Sequence, residues 1–496
     1  MHPPATLEAP SAPVTKTPVV AASATATKTV PTINGYRGIW FTLGYKFEHG
    51  DKYSGGLGTY TAYHNPTAVY APEVGKTFFV YGGTPQRDRR ELAIMVSYYD
   101  HRRNLLPRPV LLHLDPAVDD PHDNAALQID AQGYLWIFKS GRAVMRPGII
   151  YRSRIPYSID GFETITSQEF TYPQIWYERA AANTNATAGG GGGGEGGSAG
   201  GRLCLLFSKY ITRAVSPHCT RELFWKTSTD GRTWSDDRKL AGFDGHYQVS
   251  GHHQDANGTT GKIATFFNWH PGADNDRRTN LYYAQTNDFG RTWTTADGRP
   301  LRLPLNTPDN AALVRDYAAQ GKLMYTCDLN FDRRGNPILL YVTSRAGEPG
   351  PKGDPREWTI LHWDGHDWCE HIVASSDHNY DMGSLYIEGD EWRILGPTDP
   401  GPQRYCTGGE VALWISRDEG RTWHRERQVT NNSRSNHSHV RRPRNACDPF
   451  YAFWADGDPT TLDASHLYFT NSTGTRVWRL PYEMESDFAM PEEIVS

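Results

Sequence analysis

The chain has 496 residues, 12 % of them aromatic, with 48 glycines and 33 prolines, a mixture of strand formers and turn formers that favours an all-β protein. A net charge of −5 gives no reason to expect a nucleic-acid partner, and no apolar run is long enough to span a bilayer. Six cysteines without a CxxC pair do not make a disulfide scaffold; they read as buried thiols, or as one or two bridges.

In chain order, residues 1–33 are Pro/Ala/Thr-rich and lack the apolar core of a signal peptide. They read as a disordered leader, and one domain is expected over residues 34–496. Further on, "PQIWYE" (173–178) and "RLCLLFSKY" (202–210) look like the two arms of a hairpin. Between them lies "AAANTNATAGGGGGGEGGSAGG" (180–201), a floppy surface loop by composition, because a glycine run cannot offset its ordering entropy. Later strands are predicted over "GKIATFFNW" (261–269), "NLYYAQT" (280–286), "PILLYVTS" (337–344) and "EVALWIS" (410–416). Helical periodicity is almost absent.

Three segments share one pattern: "TSTDGRTW" (227–234), "TNDFGRTW" (286–293) and "SRDEGRTW" (416–423). The last two fit S/T-x-D-x-G-x-T-W, and the first is one residue short between Asp230 and Gly231. In such a box the Asp accepts hydrogen bonds from turn amides, Gly takes the φ > 0 position and Trp fills the gap between neighbouring sheets. A degenerate copy is "HWDGHDW" (362–368). Trp234, Trp293, Trp368 and Trp423 are spaced by 59, 75 and 55 residues, which suits one four-stranded propeller blade per repeat. The predicted fold is an all-β, seven-bladed β-propeller with Asp-box hairpins.

A propeller works at a face, near its axis, so polar residues at strand starts and loops are weighed first. These are His64, His122, Arg142, Tyr172, Tyr210, Arg221, His246, and His378 with Asp381. His and Tyr suit proton transfer, and Arg suits a carboxylate clamp. That set fits elimination on a uronic acid without the paired carboxylates of most glycosidases. Asn124 and His246 would bind substrate. Taken singly, each has a plain structural role: His122 bonding turn backbone, Tyr210 packing between sheets, Arg221 solvated, Arg142 completing a hairpin. Asp-box propellers also include sialidases, and "SRIPYS" carries their R-I-P motif at Arg154, a three-residue match of low specificity. His246, His252, His253, Cys327, His378 and Asp381 are ligand types for a structural divalent ion, calcium or zinc, with His246, Cys327 and His378 the leading set.

Longer motifs bring in a resemblance. "GYRGIW" (35–40), "KYSGGLGTYTAYHNP" (52–66), "HDNAALQIDAQGYLWIF" (122–138), "GHYQVS" (245–250), "SDHNYDMGSLYIE" (376–388) and "GPQRYCTGGEVALWIS" (401–416) together resemble the BNR-4 repeat family from about Tyr36 onward. That family includes seven-bladed ulvan lyases and a propeller rhamnosidase that removes rhamnose linked to glucuronate. For the lyases, the resemblance implies a catalytic histidine at His122, a tyrosine at Tyr210 and an arginine at Arg221. Tyr172 is the fallback for the tyrosine and Lys209 for the cation. The family's second histidine falls on Arg142, which cannot act as a base but can neutralise a carboxylate. For the rhamnosidase, the resemblance implies His64 as catalyst on the opposite face. The expected function is therefore a polysaccharide lyase on a uronate-containing, rhamnose-rich sulfated polymer such as ulvan. The alternatives are a rhamnosidase or a non-catalytic carbohydrate-binding propeller. The expected setting is a secreted or periplasmic monomer whose only partner is the polysaccharide and whose chemistry needs no cofactor.

Overall fold

The computed structural model describes residues 30–179, 201–212, 219–254, 261–461 and 463–494. Most of the leader and residues 180–200 of the glycine-rich insert lie outside them. Among the described residues there is no α-helix, only three single turns of 3-10 helix.

Antiparallel four-stranded sheets follow one another along the chain. The first runs Ala68–Ala71, Lys76–Gly83, Ala93–Asp100 and Val110–Leu114, and the second Ala125–Ile129, Leu135–Lys139, Gly148–Ser153 and Phe162–Gln168. The third comprises Thr171–Glu178, Arg202–Thr212, Cys219–Ser228 and Arg238–Ala241, with Glu178 paired to Arg202 across the insert, as a hairpin requires. The fourth begins at Gln248–Gln254 and the fifth at Leu323–Phe331. A final nine-stranded sheet starts at Ser384–Glu388, and its two halves meet at the single pairing Gly409 to His437. Neighbouring sheets pack through apolar clusters, as Trp136 and Phe138 do on Ile175 and Leu205, and one cluster runs on through the fourth sheet, the fifth and the start of the last. Phe453 and Phe469 of the last sheet pack in turn on Phe79 of the first. Burial of such aromatic rings is the main cohesive term between sheets.

The Asp boxes form as expected. Asp288 Oδ1 and Asp418 Oδ1 each accept the amide of the Thr four residues on, at 2.9 Å. In the short first box Asp230 Oδ1 takes the amides of Arg232 and Thr233 at 2.8 and 2.7 Å. Gly231, Gly290 and Gly420 have φ of 70°, 81° and 82°, and Trp293 sits 5.4 Å from Trp225 of the preceding sheet.

These boxes join third strands to fourth strands. Antiparallel order therefore puts them at one end of the sheets, and puts first-strand starts and second-to-third connections at the other. The leader boundary needs a correction. Pro31 O accepts the amide of Leu111, and Ile33 donates to Pro109 O, at 2.8 and 2.9 Å, so residues 30–33 are edge-bound to the first sheet. Cys204, Cys327 and Cys406 are buried free thiols, and Cys369 and Cys447 are partly exposed ones, so none of these five forms a bridge.

Candidate active site

At the end away from the Asp boxes is a cleft of about 580 Å³, lined by Tyr60, His122, Arg142, Tyr210, Arg221 and Arg278 among others. Tyr60 and His122 precede first strands, whereas Arg142 and Arg278 come from second-to-third connections. Tyr210 and Arg221 are direct cross-strand partners in the third sheet.

His122 lies in the turn Pro121–Asp123, capped by Asp120, whose Oδ1 accepts the His122 amide at 3.1 Å. Proline at the first helical position suits a turn whose first amide has no partner. The same Oδ1 holds His122 Nδ1, while Oδ2 holds Arg142 Nη1 and, at 3.3 Å, Arg146. His122 Nε2 meets the Tyr60 hydroxyl at 3.0 Å. Burial pushes the imidazole below its usual value of 6.5, opposed by Asp120 and assisted by Arg142 and Arg221. Burial also pushes the Asp120 carboxyl up, but His122 and Arg142 outweigh it and hold it far below the usual carboxylate range. His122 is therefore a neutral imidazole beside an ionised carboxylate, the arrangement of an oriented general base.

Across the cleft, Arg221 Nε donates to Tyr210 Oη at 3.1 Å and Nη1 to Asn275 Oδ1 at 2.7 Å. Arg278 Nε donates to the Asn275 carbonyl at 2.8 Å. The guanidinium carbons of Arg221 and Arg278 stand 4.8 and 4.3 Å from the Tyr247 ring centre. Arg278 is 2 % exposed, and its Nη1 has no hydrogen-bond partner. Neither arginine has an ion-pair partner among the described residues, whereas the nearby Lys52 is paired to Asp276 at 2.5 Å. Two guanidiniums without counter-ions give the cleft groups able to pair with an anion, although Asp274 and Asp276 line it too.

The structure thus brings His122, Arg142, Tyr210 and Arg221 together, and Arg142 acts through Asp120. The other sequence-predicted residues fall elsewhere. His64 is fully buried; its Nδ1 accepts the Thr61 amide at 3.3 Å and its Nε2 meets the His122 carbonyl at 2.9 Å. Burial pushes it down to about 3, so it is a neutral strut with no open nitrogen. Tyr172 is 2 % exposed and packs beneath the cleft, its ring 5.8 Å from His122. Lys209 alternates with Tyr210 along one strand, points to the other side of the sheet and pairs with Asp237 at 2.9 Å. Asn124 donates to the Tyr60 carbonyl at 2.8 Å, so it supports the cleft from below. His246 Nδ1 meets the Asn268 carbonyl at 2.8 Å, and Nε2 accepts the Phe243 amide. Arg154 is exposed in a hairpin outside the cleft.

The metal expectation does not fit these residues. His378 Nδ1 accepts the Tyr380 amide, and Asp381 accepts the amides of His378 and Gly408. Cys327 Sγ faces the Tyr325 carbonyl. No group of three or more His, Cys, Asp or Glu able to hold an ion occurs among the described residues.

Sequence reasoning missed Asp120, Tyr60, Tyr247 and Arg278. Asp120 carried a usable signal, an N-cap acid before Pro121. Tyr247 adjoins the singled-out His246 in the segment just before the strand Gln248–Gln254. Tyr60 lies within the motif 52–66, where His64 drew the attention, and Arg278 carried no local signal.

Comparison with known proteins agrees with this architecture. The BNR-4 model, described as a BNR repeat-containing family member, aligns over part of the chain. Residues 205–376 match that family. The BNR match runs from the second strand of the third sheet to the end of the fifth, and so includes Tyr210, Arg221, Tyr247 and Arg278. Among solved structures, the chain is similar to a PL25 ulvan lyase at TM-score 0.62 and 14 % identity, over 90 % of this chain and 96 % of that one. The same kind of lyase bound to -[GlcA(1-4)Rha3S]- gives TM-score 0.62 at 15 % identity, with the same coverage. Another polysaccharide lyase gives 0.57 at 12 % identity, over 90 % and 100 % of the two chains. No curated protein matches the chain. At such identities the likeness concerns the fold. No helix among the described residues is long and apolar enough to cross a membrane.

Proposed function

We propose that this protein is a polysaccharide lyase that cleaves a uronate-containing, rhamnose-rich sulfated polymer of the ulvan type by β-elimination. In this reading the five four-stranded sheets and the two halves of the nine-stranded sheet are the blades of a seven-bladed propeller, one domain closed by the packing of Phe453 and Phe469 on Phe79. The observation that carries the reading is the pair of guanidiniums without counter-ions, Arg221 and Arg278, facing a cleft that also holds His122 and Tyr210. Elimination from a uronate needs its carboxylate neutralised as C5 loses a proton, and Arg221 is the group for that task. His122 receives the proton at the basic end. Tyr210, hydrogen-bonded to Arg221, protonates the leaving oxygen. Arg142 keeps Asp120 ionised and so keeps His122 in one tautomer. The lyase-like fold supports the same reading. A polymer this large does not cross a membrane, so the protein would act outside the cytoplasm, as a monomer and without a cofactor.

The rhamnosidase alternative gains nothing from His64, whose ring nitrogens are both bonded to backbone. The experiment is ultraviolet absorbance during incubation with ulvan, beside a glucuronate-linked rhamnoside and buffer. A rise from a conjugated uronate double bond is expected. A flat trace with free rhamnose would overturn the lyase reading.

A further inference from the structure

His122 has one nitrogen that is not tied to Asp120, and that nitrogen is already occupied. An ionised carboxylate can only accept, so Nδ1 carries the ring proton, Nε2 presents its lone pair, and the Tyr60 hydroxyl donates to it at 3.0 Å. The Tyr60 oxygen has no second hydrogen-bond partner among the described residues, and the residue lines the cleft. Its ring is held edge-on by His122 and His439, each 5.0 Å away, and by Phe41 at 6.2 Å. The Tyr60 carbonyl is held by Asn124.

We propose that Tyr60 is a further catalytic residue, whose phenolic oxygen carries the proton from the sugar to His122 Nε2. This rests on the lyase reading above. As the C5–H bond breaks, its proton passes to Tyr60 Oη while the proton already on Oη passes to His122 Nε2. The electron pair forms the C4–C5 double bond, the C4–O bond breaks, and the leaving oxygen takes the Tyr210 proton. His122 ends as an imidazolium held by Asp120. Tyr60 never carries a net charge, so its burial, which favours the neutral phenol, does not oppose the step. Asp120 is a positioning residue for the same relay.

The test uses the full chain, ulvan as probe and the chromophore assay, with Tyr60→Phe, which keeps the ring, and Asp120→Asn. Tyr60→Phe is expected to lower kcat by about 100-fold or more with KM within about threefold. In Asp120→Asn the loss of the carboxylate is expected to move the acid limb of the rate profile to lower pH. Nitrogen-15 spectra of the substrate-free protein supply a second readout: Nδ1 protonated and Nε2 bare in the wild type, with the Nε2 signal shifted in Tyr60→Phe. Retention of kcat within about threefold by Tyr60→Phe, or a protonated Nε2 in the wild type, overturns the relay while leaving the lyase reading intact. Failure of the wild type to generate any chromophore overturns both.

Discussion

His64 and His122 lie side by side, both buried, and the ring of one bonds the backbone of the other. Around His64 the partners are an amide and a carbonyl, groups that do not titrate. Around His122 they are a carboxylate and a phenol, and the ring borders the cleft. Burial lowers both imidazoles, but only His122 has a charge partner that opposes the effect and stabilises an imidazolium once formed. Equal burial thus leaves His64 a strut and leaves His122 able to take up a proton, and the partners decide which is which.

Several changes would break or sharpen that contrast. The largest effect is expected for His122→Ala, a loss of about 10²–10⁴-fold in kcat on ulvan. His64→Ala should act on stability instead, with kcat retained. It orphans the Thr61 amide and the His122 carbonyl at about 1–3 kcal/mol each, read as a lower urea midpoint. Rhamnose release abolished by His64→Ala would break the contrast outright. Arg221→Gln comes next, with kcat/KM on a uronate polymer down by about 10–100-fold, as losing a hydrogen bond to a charged group implies.

The pH profile sharpens the comparison further. In the proposed reaction His122 works as the neutral base, and its folded value lies below the usual 6.5. Activity should therefore persist below pH 6.5 and fall only as pH drops through that lowered value. An acid limb above 6.5 would contradict the assignment. The smallest effect is expected at Lys209→Ala. That half-buried lysine pairs with Asp237 on the far side of the sheet, so its removal should cost under about 1 kcal/mol and leave kcat unchanged.

The catalytic candidates were legible to different depths. His122, Tyr210 and Arg221 were accessible because each sits in a motif or at a strand end. Arg278 is remote from them and lies in no such motif, and Tyr60, though inside the 52–66 motif, was overshadowed there by His64. Lys209 failed because neighbouring residues of a strand face opposite sides, and His246 because both its ring nitrogens are bonded to backbone.

The sequence by itself determined the sheet-forming pattern and the Asp-box turns, because a tight turn closed by an acid, a glycine and a tryptophan is a local event within eight residues. It also determined that the chain carries imidazole, phenol and guanidinium groups at strand starts. Only the tertiary structure decided which of these converge. Convergence depends on sheets packed in sequence with the last against the first, which brings Tyr60, His122, Arg221 and Arg278 to one cleft and leaves two guanidiniums without counter-ions. Charge compensation is a property of three-dimensional neighbours, and no spacing along the chain encodes it.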